Sequence, residues 1–216
     1  MSDFVMDWQR EQRTGIAEAV LCEGKTALQI DAILASAGAR PLLLTRLDCA
    51  LFDALPAQRR AALDHDPLSR TAFHGPVPAP ALGGVCVVCA GTSDLPVARE
   101  AVRTLAFAGY EAPLVADVGV AGLWRLMQRI EEIRTHSVVI AVAGMEGALF
   151  SVLAGLVAAP VIAAPTSVGY GVASGGQVAL HSALASCAAG LTCVNIDNGY
   201  GAACAALRIL RSIRRE

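Results

Sequence analysis

Two residues in the second half of the chain combine a reactive type with a telling position. Cys187 lies in Ser186-Cys187-Ala188-Ala189-Gly190, where a helical pattern gives way to a turn just before an apolar run. A thiol flanked by small residues in such a turn can serve as a nucleophile, although free cysteines are often simply buried and a structural thiol is the competing reading. Glu146 is the last charged residue before a stretch with no Asp, Glu, Lys or Arg until Asp197. An isolated carboxylate there suits proton transfer, since burying an unneeded one is unfavourable; the alternative is a helix N-terminal acid that satisfies the dipole.

Further candidates fall in five segments of small polar residues: 91–94 (GTSD), 117–120 (DVGV), 143–147 (AGMEG), 165–171 (PTSVGYG) and 195–201 (NIDNGYG). Glycines let backbone approach a ligand closely, and hydroxyls and amides at a helix start can receive an anion. Gly91, Thr92, Ser93 and Asp94 form the sharpest of these, with Ser93 or Asp94 able to cap the helix that Pro96 begins. The charge of Asp94 would repel a phosphate unless it serves a ribose hydroxyl or a metal ion. Gly144 and Met145 flank the candidate base as substrate-binding positions. Thr166, Ser167 and Tyr170 bind substrate or shape a turn. Asn195, Asp197 and Asn198 are ribose- or phosphate-proximal candidates, and Asp197 could equally hold magnesium. The four histidines lack metal-ligand spacing, and His181 reads as a surface or interface residue. Cys86 and Cys89 read as opposite faces of a buried strand, not as a redox or zinc pair.

These segments need elements to position them. Apolar runs predict strands near Val85–Cys89, Ala112–Ala116, Val138–Val142, Val161–Ala163 and Thr192–Ile196, each followed by a helix. Repeated strand–helix units with apolar strands imply a parallel sheet covered on both faces, whose ligands sit outside the carboxyl ends. The Pro- and Gly-rich run 75–83 reads as a linker, giving an N-terminal region 1–74 and a main domain 84–216. In the first region the pattern predicts a helix capped by Thr26 and ended by Gly38, a strand in Pro41–Thr45, and a helix from about Asp48 to Asp64. The fold class expected is α/β, a three-layer α/β/α domain with a parallel sheet preceded by a small α/β domain.

Composition narrows the field. Hydrophobic residues make up 55% of the 216 and aromatic residues 5%, so the apolar mass comes from Ala, Val and Leu and suits tight helix-on-sheet packing. A formal charge of -2 gives no footprint for nucleic acid, and the C-terminal RILRSIRRE cluster reads as a basic last helical turn. The charged N-terminus is no export signal, which leads us to expect a cytoplasmic protein with its seven cysteines as thiols. The uncharged stretch after Glu146 is broken by Pro160, Pro165 and glycines, so no membrane span is expected; a helix without a charged face implies a homo-oligomer.

Taken in order, GTSDLPVA, DVGVAGLWRL, VVIAVAGMEGAL, PVIAAPTSVGYG, SCAAGLT and VNIDNGYGA resemble the motifs of the LarB family, and EGKT, the Thr45-Arg46 pair and HDPLSRT resemble that family's first domain. The main domain is in turn similar to the aminoimidazole ribonucleotide carboxylase (PurE) fold. The resemblance implies carboxylation of the pyridinium ring of nicotinic acid adenine dinucleotide at carbon 5, with CO2 or bicarbonate as co-substrate and release of AMP. The product would be pyridinium-3,5-biscarboxylic acid mononucleotide, the precursor of a nickel-pincer cofactor; no tightly bound organic cofactor is expected, and magnesium is a candidate. The cysteine that adds to the ring in that family matches Cys187. Thiolate addition at carbon 4 would make carbon 5 the nucleophilic end of an enamine, which attacks CO2, and Glu146 would then take the carbon 5 proton. Arg13, Lys25 and Arg46 could reach the AMP half or be solvated charges. The chain departs from the family at Phe150, where a proline is usual, and in TGIAEAVLCEGK. The rival readings are a purine-pathway carboxylase or mutase, against which stands Ala148 where that family carries a catalytic histidine, and a non-catalytic oligomeric nucleotide-binding protein.

Overall fold

The computed structural model describes residues 4–213, so Arg214 and Arg215 of the basic C-terminal cluster lie outside the described residues. The first region holds α1 (Arg10–Thr14), β1 (Ala19–Leu21), α2 (Ala27–Ala37), β2 (Leu42–Thr45), α3 (Cys49–Asp53), α4 (Ala57–Ala61), β3 (Leu63–Asp66) and β4 (Thr71–His74). Its sheet runs β1-β2-β4-β3, parallel between the first two strands and antiparallel beyond. A capping box starts α2: the Gln29 N–H donates to Thr26 Oγ1, and the Thr26 N–H donates to Gln29 Oε1 at 2.9 Å. The helix then buries Ile30, Ile33, Leu34 and Ala37, the spacing of a single stripe.

The helix expected over 48–64 is instead two short helices and a strand. Pro56 has no N–H and disfavours helical backbone at Leu55, so α3 ends before it and α4 begins after it. Three strands, β1, β3 and β4, went unanticipated because three or four residues are too few to display a period. The β3–β4 hairpin turns on Asp66, whose carboxylate accepts the Ser69 N–H at 3.1 Å and the Ser69 hydroxyl.

The second region holds β5 (Val85–Cys89), α5 (Leu95–Phe107), β6 (Leu114–Val115), α6 (Leu123–Arg134), β7 (Val138–Ala143), α7 (Ala148–Leu156), β8 (Val161–Pro165), α8 (Gln177–Leu184), β9 (Leu191–Cys193) and α9 (Gly199–Ile213). All five strands are parallel, in the order β6-β5-β7-β8-β9. The expected strands at 112–116 and 192–196 are thus shorter than their apolar runs. Cys89, Val87 and Ile140 pack against α5 and α9; Cys86, Val88 and Ala141 pack against α6, α7 and α8. Cys86 and Cys89 therefore face opposite layers, and burial pushes their thiols up to about 12 and about 11. Small residues let the α5–α9 layer close, with Ala98, Ala101, Ala202, Ala203 and Ala206 all buried. No helix among the described residues is long and apolar enough to cross a membrane; the uncharged stretch after Glu146 is divided among α7, β8, α8 and β9.

The first region docks on α5. Arg103 donates to Thr71 Oγ1 and to the Asp64 carbonyl, both at 2.7 Å, and lies over the Phe73 ring. Arg99 grips Asp66 at 3.0 and 3.2 Å. Burial of Asp66 raises its carboxyl pKa, but the hydrogen bonds from Ser69 and Arg99 outweigh it and hold the carboxyl below its usual range. A depressed folded value means stability that is present above the unfolded carboxylate range and lost as pH falls through the folded value. Asp66→Asn is expected to lower stability by about 2 kcal/mol at neutral pH, from lost charge-assisted hydrogen bonds. In urea denaturation the gap between the two proteins should close as the pH falls below the ordinary aspartate value.

Candidate active site

The strand order reverses between β5 and β7: the chain leaves β5 for β6 on one side, then crosses back to build β7, β8 and β9 on the other. The loop after β5 feeds α5 on one face of the sheet, while the loop after β7 feeds α7 on the other. A crevice opens at such a switch point, outside the carboxyl ends. Its walls are 91–94 and 144–147, two of the segments singled out by their glycines.

Asp94 stitches these walls together instead of capping α5. No cap hydrogen bond is made by its side chain. Its carboxylate turns inward, accepting the Gly91 N–H at 2.9 Å and the Thr166 hydroxyl at 2.7 Å, with the Gly144 backbone as a further donor. Only 4% of Asp94 and none of Thr166 is exposed. Burial raises the Asp94 carboxyl, its three hydrogen bonds pull it down, and the neighbouring Asp197 pushes it up, leaving it above the usual range. Gly144 is required by this close approach, because a Cβ there would meet the Val168 carbonyl at 2.1 Å and Thr166 Oγ1 at 2.7 Å. Thr92 and Ser93 stay exposed on a short 3-10 turn at the crevice mouth.

Three non-glycine residues with positive φ lie at the carboxyl ends: Asp117 after β6, Met145 after β7 and Asp197 after β9. Such strain, of the order of 1 kcal/mol each, tends to collect where a ligand is held. Met145 is pinned by its N–H on the Val168 carbonyl at 2.9 Å. Glu146 follows it and is exposed, so the cost of burial is not what accounts for its isolation. Gly147, at φ 65, starts α7 over Phe150, which is wholly buried and fills the space a Cβ at Gly147 would need.

Asp197 accepts the Ser167 N–H on Oδ1 at 2.8 Å, and its N–H reaches the Pro165 carbonyl, which joins the β8 and β9 loops. Asn198 Oδ1 accepts the Gly201 N–H at 2.7 Å, capping the start of α9, and Asn195 Oδ1 accepts the Ile196 N–H. Tyr170 is exposed at the rim. Among the described residues no three His, Cys, Asp or Glu side chains converge as metal ligands, around Asp197 or elsewhere.

Cys187 is exposed too, but it does not share this edge of the sheet. It sits in the turn between α8 and β9, and the register Val161↔Leu191 sets that turn at the amino end of β8. Thr166 and the crevice lie past the other end of β8, roughly 13 Å away along four strand steps. The neighbouring Ser186 hydroxyl bonds that of Ser151 on α7 at 2.7 Å, which fastens the turn to the outer layer.

Three neighbours of the crevice were not singled out as site residues, although Arg70 and Arg125 lie within HDPLSRT and DVGVAGLWRL. Glu100, in the charged pattern of α5, is 5% exposed and accepts the Tyr200 N–H at 3.2 Å, with the Gly199 backbone as a second donor. The start of α9 is thereby occupied by an internal carboxylate. Arg70 lies at a hairpin corner, and Arg125 pairs with Asp117 at 2.6 Å at the end of β6. Of the first-region cations, Arg46 donates to the Asp197 carbonyl at 2.9 Å. Arg13 pairs with Asp7, on the helix whose Glu11 meets Arg211 at the far end of α9, and so does not reach the crevice.

Fold and crevice together define a doubly wound α/β protein with a crevice at the carboxyl ends of β5, β7 and β8. The chain belongs to the AIR carboxylase family, which it matches over residues 84–216; residues 3–75 match the LarB/PurE-like N-terminal domain, so that the whole has the LarB-family architecture. It is also similar to an uncharacterized protein of Methanocaldococcus jannaschii, 48% identical over 123 residues, which are 56% of this chain and 47% of that protein. The chain thus spans about half the length of the curated relative it matches.

Thr166→Val removes one donor from a buried carboxylate and should lower stability by about 2 kcal/mol. Because the folded Asp94 carboxyl is raised, its contribution to stability is fullest below the unfolded value and is lost as pH rises through the folded one. Without Thr166 that loss grows, so urea denaturation from acid to neutral pH should show the variant falling progressively further behind.

Proposed function

We propose that the protein carboxylates the pyridinium ring of nicotinic acid adenine dinucleotide at carbon 5 and cleaves the phosphoanhydride to release AMP, giving pyridinium-3,5-biscarboxylic acid mononucleotide. Membership of a LarB-like carboxylase family supports the reaction class. The observation that carries the finer reading is an exposed carboxylate, Glu146, on a crevice whose loops are already locked by Asp94, together with an exposed thiol, Cys187, on the turn at the other end of β8. A pyridinium ring is too electron-poor to attack CO2. Addition of the Cys187 thiolate at carbon 4 gives a neutral dihydropyridine; carbon 5 then bonds to CO2, Glu146 takes the carbon 5 proton, and the C–S bond breaks to restore the aromatic cation and the thiolate. One C–H is replaced by one carboxylate, and water supplies the cleavage that frees AMP. Magnesium would be held chiefly by phosphate oxygens, with Asp197 adding one oxygen, since the chain offers no fuller ligand set.

The purine-pathway alternative loses ground at α7: Ala148 opens that helix where a catalytic histidine is needed, and His65, His74, His136 and His181 lie elsewhere.

The position of Cys187 adds a condition, because one copy holds the thiol and the carboxylate at opposite ends of β8. We assign the missing half to a second copy. Tyr170 and Val172 are 78% and 94% exposed, and Leu184, 69% exposed, stands three residues before Cys187. These apolar side chains on an uncharged stretch suit burial against another subunit, which would carry a Cys187 turn to its neighbour's crevice.

Mass spectrometry of products formed from the dinucleotide, bicarbonate and magnesium tests the activity. The expected result is the dicarboxylated mononucleotide plus AMP with the wild type, and neither carboxylated product nor turnover with Cys187→Ala. Intact substrate with the wild-type protein would refute the assignment and favour a binding protein.

A further inference from the structure

The crevice is built from carboxylates and neutral groups, and that leaves a phosphorylated ligand without a counter-charge. Asp94, Glu146 and Asp197 all stand at the carboxyl ends, and the α9 N-terminus, which could have taken a phosphate, holds Glu100. Cations reach this edge from the first region, Arg46 among them. β1 and β2 are parallel, so the turn after β1 (Cys22–Lys25) and the corner after β2 (Arg46) emerge side by side. The β3–β4 hairpin brings Arg70 to the same place, its carbonyl accepting the Leu47 N–H at 2.7 Å. Arg46 and Arg70 both hold φ 54, a left-handed backbone that neither favours.

Between these three segments lies a pocket of about 410 Å³, lined by Lys25, Arg46 and Arg70 together with Glu23 and Asp48. Both acids are already engaged: Glu23 meets Arg46 at 3.0 Å, and Asp48 accepts the Leu51 N–H at 2.8 Å to start α3. Lys25 is half-buried and Arg70 exposed, and neither has a carboxylate within ion-pair distance among the described residues. Arg46 forms the wall toward the crevice through its bond to the Asp197 carbonyl.

We infer that this pocket is a phosphate subsite, in which Lys25 and Arg70 hold the pyrophosphate of the ligand and Arg46 fixes the pocket's position against the β9 loop. The inference rests on the proposed dinucleotide reading only for the ligand's identity; the subsite itself takes inorganic pyrophosphate. It gives the first region a task, since among the described residues of the second the arginines of α5 and α6 nearest this edge are engaged: Arg99, Arg103 and Arg125 are each paired with an aspartate.

Calorimetric titration of the full chain with inorganic pyrophosphate at low ionic strength, for the wild type, Lys25→Ala, Arg70→Ala and Arg70→Lys, tests it. Losing a charge-assisted contact should weaken binding about tenfold or more in each alanine variant, with partial retention in Arg70→Lys. Both alanine positions are on the surface of loops, and an unchanged urea midpoint will exclude misfolding. Wild-type protein that takes up no pyrophosphate, or alanine variants that bind it as the wild type does, would overturn the subsite. Pyrophosphate binding that is lost in the variants of a protein with no carboxylation would retain the subsite and discard the proposed reaction. In a protein that does carboxylate, the variants should raise KM for the dinucleotide with kcat little changed; an unchanged KM would overturn the subsite while leaving the reaction standing.

Discussion

Asp94 carries a carboxylate that water hardly reaches, and its oxygens draw donors from loops that leave three different strands: Gly91 after β5, Gly144 after β7 and Thr166 after β8. A carboxyl group buried in this way is tolerated only while its hydrogen bonds are complete. The positions of the three loops are therefore coupled. Displacing any one of them strands the carboxylate, so the crevice is held in shape before any ligand arrives. The same demand explains the absence of side chains at Gly144 and the left-handed backbone at Met145, both of which let the β7 loop run close beneath the β8 loop.

Around that knot the second layer of interactions serves placement. Asp197 ties the β9 loop to Ser167, Glu100 secures the start of α9, and Arg46 reaches across from the first region to the Asp197 carbonyl. Besides the Glu11–Arg211 pair at the far end of α9, the first region is joined to the second through Arg99 and Arg103 on α5 and through Arg46 at the carboxyl ends. Contacts at both places keep its cationic corner in register with the crevice.

Much of this plan is legible in the sequence, and the exceptions have physical causes. β5, β7 and β8 are long apolar runs bounded by Gly, Pro and polar turns, and the α2 capping box is spelled out by Thr26 and Gln29. The helix expected over 48–64 fails at Pro56, where chain geometry overrides an otherwise helical composition. Asp94 resembles a helix cap because a cap and an inward-turned carboxylate require the same residue just before Leu95-Pro96. Glu100 sits among arginines on an amphipathic helix and so resembles a solvated charge, although its side chain faces α9. The separation of Cys187 from Glu146 is a property of parallel topology: a turn entering β9 and a loop leaving β7 must lie at opposite ends of the sheet.

In the proposed reaction that separation makes assembly part of the chemistry, with the thiol of one copy meeting the carboxylate of another. Co-expression of differently tagged Cys187→Ala and Glu146→Gln chains, followed by purification of the mixed assembly, is the most direct test. Each variant alone is predicted to be inactive and the mixed assembly to regain carboxylation, because some crevices then receive an intact thiol and an intact carboxylate from different chains. A mixed assembly that stays inactive, while wild-type chains handled in the same way are active, would contradict the account.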